Sequence, residues 1–127
     1  MVYSGDRTTM IRALVIDDSR NTADSLVQVL KILDIEARAA YGPGPGLALL
    51  NSETPDLVFL DLNMPGLSGF EILSFISREP HLLGVPVFIV TSDDQPETFR
   101  HALAGGARAV LIKPVSVDSV EEALKKE

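Results

Sequence analysis

The chain has no cysteine and no tryptophan, and its only other aromatic rings are five phenylalanines and two tyrosines. Without cysteine, disulfides, thiolate chemistry and Cys-based zinc sites are excluded, and the reducing cytoplasm is the expected location. Basic residues are also scarce: 11 against 18 acidic, a formal net charge of −7. That leaves no net positive field for nucleic acid or an anionic membrane surface, so neither is expected as a partner. No apolar run approaches the ~20 residues of a membrane span. Residues 1–9 lack the apolar core of a signal peptide and are expected to form a disordered leader. The remainder, residues 10–127, is expected to be one domain, large enough for a hydrophobic core of its own.

What is present is alternation. Apolar runs rich in β-branched residues occur at 11–16, 57–60, 85–90 and 109–112. They barely alternate with polar residues, as expected for strands covered on both faces. A further run at 35–39 does alternate and suits a half-exposed edge strand. Between the runs lie segments with helical spacing: Ala23, Leu26, Val27, Leu30 and Leu33 form a clean stripe. Weaker stripes are Leu47 with Leu50; Phe70, Leu73 and Ile76; Phe99 with Leu103; and Val120, Ala123 and Leu124. Gly42-Pro43-Gly44-Pro45 reads as a stiff turn opening the second helix, since proline is tolerated in a first helical turn. Strand and helix thus alternate about five times, which predicts an α/β fold: a doubly wound, five-stranded parallel sheet with helices on both faces. Placing the alternating run at an edge favours strand order 2-1-3-4-5.

The residues that follow the buried strands carry the chemistry. Asp17 and Asp18 follow the first, Asp61 the third, Thr91 and Ser92 the fourth, and Lys113 the fifth. In a parallel sheet these positions share the carboxyl edge, where open α/β sheets bind ligands. Three carboxylates suit a hard cation such as Mg2+, which prefers oxygen ligands. The Thr91 hydroxyl and the Lys113 ammonium suit phosphoryl oxygens. Phosphoryl transfer is mostly positioning and charge neutralisation, and a carboxylate can serve as its nucleophile, so Asp61 is the candidate acceptor. Each piece alone has an ordinary reading: Asp18 or Ser19 can cap a helix, Asp61 can be a turn residue, and Lys-Pro is a common loop dipeptide. Their joint order, each after its own strand, is what ordinary readings do not produce.

With the Asp17-Asp18 pair, Asp61 in D-L-N-M-P-G, Thr91, and Lys113-Pro114, the chain from Met10 onward resembles the receiver domain of two-component response regulators, a flavodoxin-like fold. The resemblance implies that Asp61 takes a phosphoryl group from a sensor histidine kinase, a phosphotransfer protein or a small phosphodonor. It implies Mg2+ held by Asp18, Asp61 and the main-chain carbonyl of Asn63, with Asp17 acting mainly through water. Thr91 and Lys113 would bind the phosphoryl oxygens, and the Lys113-Pro114 bond would be cis. The protein would be a signalling module rather than an enzyme, catalysing only its own phosphotransfer and autodephosphorylation. It would act by contact with a downstream protein or effector domain, as a monomer or as a homodimer through the fourth helix, fifth strand and fifth helix.

Two positions depart from the family pattern. Val110 stands three residues before the lysine, where the family usually carries Tyr or Phe, and Val115 stands where Phe is common. These keep open a rival reading, a pseudo-receiver used as a constitutive protein-binding module. Asn63 and Asp93 occupy positions that in the family tune phosphoryl lifetime. A phosphatase of the haloacid dehalogenase type would need an acid at position 63, and a flavodoxin would not place two aspartates against a flavin phosphate. His81 and His101 have no sequence neighbours that suggest a ligand or a phosphohistidine.

Overall fold

The computed structural model describes residues 10–125; the leader expected over residues 1–9 lies outside the described residues. Five strands, β1 (Arg12–Ile16), β2 (Glu36–Ala40), β3 (Leu57–Asp61), β4 (Val87–Thr91) and β5 (Ala109–Ile112), alternate with five helices. These are α1 (Arg20–Ile32), α2 (Pro43–Ser52), α3 (Gly69–Arg78), α4 (Pro96–Ala104) and α5 (Val117–Lys125). A short 3-10 turn, Pro80–Leu82, follows α3. All strand pairs are parallel and the order is β2-β1-β3-β4-β5, the expected order, with the alternating run at an edge.

Every residue of β3 and β4 is buried. Side chains alternate between the two faces of a strand, so burial of every residue requires helices on both. On one face Val15, Phe59, Phe88, Val90 and Leu111 meet Ala23, Leu26 and Leu30 of α1 and Val120 and Ala123 of α5. Phe59 and Phe88 are register partners there, and their rings stack at 5.1 Å. On the other face Ile16, Leu60 and Ile89 lie under Leu50 of α2, Ile72 and Leu73 of α3 and Ala102 of α4. Edge strand β2 leaves Glu36 and Arg38 exposed, which explains its alternating sequence.

Three local expectations shift. β4 begins at Val87 rather than at position 85, because Pro86 has no N–H for the ladder; its carbonyl instead accepts from the Val58 N–H at 3.0 Å. β2 runs one residue later than expected. In α4 the inward residue is Ala102, fully buried, whereas Leu103 is 50% exposed. Positions three and four residues from Phe99 share a helix face, so packing against the sheet decides between them.

Two glycines shape the carboxyl edge. Gly42, with φ of 114°, caps the α2 N-terminus in a conformation closed to most side chains, and Pro43 opens the helix behind it. Gly69 opens α3 and lies against the backbone of the third strand's last residue: a Cβ there would sit 2.3 Å from the Asp61 carbonyl oxygen. Its N–H donates to the Leu62 carbonyl at 2.9 Å, closing the loop after β3. Ser68 and Glu71 then form a capping box that starts the helix.

Gly69→Ala is therefore expected to destabilise the protein by about 1–3 kcal/mol, the usual range for forcing a methyl into a filled site. Urea denaturation measures this, and an unchanged midpoint would show that the loop relaxes without cost.

Candidate functional site

The sheet register brings the acidic residues together. Ile16 pairs with Leu60 and Asp61 with Val90, so Asp17 and Asp61 leave neighbouring strands one step later and on the same face. Leu111 pairs with Val90, which puts Lys113, two residues on, over that face as well. Among the described residues the buried polar or charged ones are Asp17, Asp61 and Thr91, each singled out by its place after a strand.

Lys113 Nζ lies 3.0 Å from Asp61 Oδ1 and 3.1 Å from Asp17 Oδ2, an ammonium shared by two buried carboxylates. The Ser19 N–H donates to Asp17 Oδ1 at 2.9 Å, so both Asp17 oxygens are engaged. The Ser19 hydroxyl meanwhile caps α1 by accepting from the Thr22 N–H. The Asp17 N–H donates to Ala40 at the end of β2, and the Lys113 N–H donates to Thr91 at the end of β4, at 3.1 and 2.8 Å. The Lys113-Pro114 bond is cis.

Burial pushes the Asp61 carboxyl above its ordinary value, and the neighbouring Asp17 charge pushes the same way. The bond and charge of Lys113, and the Asn63 backbone N–H that donates to the Asp61 carboxylate, oppose the shift without cancelling it. For Lys113 burial favours the neutral amine, but hydrogen bonds and charges from Asp61 and Asp17 outweigh it and raise the pKa. The lysine is therefore held as an ammonium, and the crowding of carboxylates falls on Asp61.

Asp18 is exposed at the rim, yet one carboxylate oxygen from each of Asp17, Asp18 and Asp61 lies within 4.8 Å of the others. Ligands of an octahedral Mg2+ stand at 2.0–2.1 Å from the ion, so opposite ones are about 4 Å apart. The donor set is all oxygen, and one of its two buried members, Asp61, carries a destabilised charge. The acidic cluster thus fits a hard divalent cation.

Thr91 stands apart from this group. It is fully buried at the end of β4, one residue beyond the register partner of Asp61, and its hydroxyl accepts from the Asp93 N–H at 3.1 Å. Asp93 is in turn engaged at both oxygens: Oδ1 accepts from the Gln95 N–H at 2.9 Å and Oδ2 from the Thr98 hydroxyl at 2.6 Å. These bonds hold the Asp93 carboxyl below its ordinary value. The link from Thr91 to α4 through Asp93 and Thr98 was not read from the sequence, although an Asp three residues before Pro96, in the first turn's approach, is a helix-start signal.

Other partners also emerge only in three dimensions. The His101 ring stacks on Phe70 of α3 at 4.0 Å, and His81 Nε2 lies 2.7 Å from the Leu50 carbonyl oxygen. Two residues after Asp18 in the chain, the Arg20 guanidinium sits 4.1 Å above the Tyr41 ring, whose hydroxyl donates to Asp24 at 2.6 Å.

A doubly wound parallel sheet with two buried aspartates sharing a lysine at its carboxyl edge defines a class: an α/β domain whose site suits a divalent cation and a phosphoryl group. The family model described as response regulator receiver domain matches residues 13–125, and the chain belongs to that family, which serves two-component signalling. It is 34% identical to the protein PilH of Pseudomonas aeruginosa over 111 residues, covering 87% of this chain and 92% of PilH. The chemotaxis protein CheY4 of Vibrio cholerae superposes with a TM-score of 0.86, covering 93% of this chain and 98% of that one; at 24% identity it supports the fold alone. A response regulator from Burkholderia pseudomallei is 26% identical, with a TM-score of 0.80 and coverage of 89% of this chain and 65% of that one. That structure carries a phosphorylated aspartic acid and a calcium ion.

Because the folded Asp61 pKa is raised, the stability linked to its neutral form is fully present below the unfolded value near pH 4 and is lost as pH rises through the folded value. Asp61→Asn is expected to melt at a higher temperature than the parent in EDTA, with a gap that widens from about pH 4 to about pH 7. Thermal melts across that range check it; equal melting temperatures at neutral pH would contradict the crowding.

Proposed function

We propose that this receiver domain is phosphorylated on Asp61 in a Mg2+-dependent reaction, and that the phosphorylated form changes its contacts with a downstream protein. The observation that carries this reading is the buried Asp61 carboxylate at the end of the central strand, with the Lys113 ammonium 3.0 Å away. One Asp61 oxygen attacks the phosphorus of the donor; the bond from phosphorus to the leaving group breaks, and its electron pair leaves with that group. When bound, Mg2+ supplies positive charge against the phosphoryl oxygens. Asp17, Asp18 and Asp61 would hold it, joined by the Asn63 main-chain carbonyl on the family pattern. Lys113 stays an ammonium and would neutralise one phosphoryl oxygen, while the Thr91 hydroxyl would donate to another. Asp93, two residues beyond Thr91, and Asn63, two residues beyond Asp61, occupy positions that tune phosphoryl lifetime in the family, and they would adjust the rate at which the protein dephosphorylates itself.

The donor would be a sensor histidine kinase, a phosphotransfer protein or a small phosphodonor, in the cytoplasm. The receiving partner would meet the face of α4, β5 and α5, the face through which a homodimer would also form. Val110 on β5 is half-buried against the core beneath α3 and α4 and has no ring to swing, which is what favours the rival reading of a constitutive binding module.

Intact mass after incubation with acetyl phosphate and Mg2+ separates the two. The phosphoacceptor reading expects one phosphoryl adduct on the parent, absent in Asp61→Asn and absent without the cation. An unmodified parent would leave the binding module as the better description.

A further inference from the structure

We infer that Thr98, together with Asp93, is a positioning residue for the Thr91 hydroxyl, holding it ready to donate to the phosphoryl group. The inference rests on the phosphoacceptor reading and deepens it. A threonine hydroxyl has one hydrogen to donate and two lone pairs to accept with. The Asp93 N–H occupies a lone pair of Thr91 Oγ1 at 3.1 Å, so the hydroxyl's own hydrogen remains available and its direction is restricted. A backbone N–H can set a hydroxyl rotor only if the loop that carries it is itself held.

That loop is held by one side chain. The Asp93 carboxylate accepts from the Gln95 N–H at 2.9 Å and from the Thr98 hydroxyl at 2.6 Å, so it ties the end of β4 to the first turn of α4. Thr98 is itself fixed as part of that helix: its N–H donates to the Gln95 carbonyl at 3.1 Å. The bond at 2.6 Å is charge-assisted, since Asp93 is held as a carboxylate, and such bonds are about twice as strong as neutral ones. A chain of contacts therefore runs from a helix residue, Thr98, through Asp93, to a fully buried hydroxyl at the sheet edge. The neighbouring acidic cluster takes no part in it, so this positioning is separate from cation binding.

The test compares the parent, Thr98→Val, Thr98→Ser and Asp93→Ala in two measurements. The first is the rate of phosphoryl uptake from acetyl phosphate with saturating Mg2+; the second is the set of three-bond couplings that report the Thr91 χ1 rotamer, with no phosphodonor present. Thr98→Val keeps the shape of threonine and removes only the hydroxyl. It is expected to slow uptake about fivefold, the equivalent of one hydrogen bond, and to average the Thr91 rotamer. Asp93→Ala is expected to do the same by removing the carboxylate that both donors share. Thr98→Ser is expected to restore the rate to within about twofold, and the Mg2+ concentration for half-maximal uptake should not move in any of the four. A labelled parent beside a Thr98→Val protein of equal rate, or a loss that serine fails to restore, overturns the inference alone. A single Thr91 rotamer in every variant also overturns it. A parent that takes up no phosphoryl group overturns the phosphoacceptor reading and this inference with it.

Discussion

The ammonium of Lys113 lies between the carboxylates of Asp17 and Asp61, and most of the carboxyl edge is arranged around that contact. Two carboxylates buried side by side are costly, because neither water nor a partner offsets their charge. Here a single cation from just beyond the last strand bonds to both, while the Ser19 N–H takes the remaining Asp17 oxygen. The three groups come from β1, β3 and the turn after β5, strands that are not all adjacent in the sheet. The contact forms only if every crossover has placed its strand correctly. What the lysine does not compensate remains on Asp61, whose pKa burial and the Asp17 charge raise despite its bond to Lys113. A hard cation at the rim, where Asp18 is exposed, would complete that compensation.

Around this contact the backbone is held from both sides. Gly69 allows α3 to lie directly on the Asp61 carbonyl, so the loop that carries Asn63 has little room to move. On the other side Asp93 and Thr98 hold the loop after β4. The two helices that start from these loops, α3 and α4, then meet again where Phe70 stacks on His101. A helix tied at its first turn to one neighbour of the site, and at mid-length to a helix rooted at the other, is placed to respond when the site changes. Val110 contributes packing to that region and no movable ring.

Much of this was legible in the sequence, for reasons that differ by element. The buried strands were legible because a strand covered on both faces shows an unbroken apolar run, and the edge position of β2 because Glu36 and Arg38 alternate with small residues. The site residues were legible because parallel strands put their carboxyl ends on one edge, so one residue after each run was enough to name Asp17, Asp61, Thr91 and Lys113. The inward face of α4 was not legible. Phe99, Ala102 and Leu103 offer two helical spacings of equal merit, and only the distance to the sheet selects the alanine. The partners of His81 and His101 were invisible for a similar reason: Leu50 and Phe70 lie 31 residues from their respective histidines in the chain.

The sequence by itself therefore determined the alternation of elements, the membership of the carboxyl edge and the acidic surplus there, because these follow from periodicity and from counting charges. Tertiary structure alone decided how that surplus is shared: Lys113 takes both buried aspartates, Asp18 stays in solvent, and Thr91 is turned to Asp93 and not to Asp61. Charge sharing depends on separations of a few ångströms, which are set by strand register and loop closure, and no spacing along the chain encodes them.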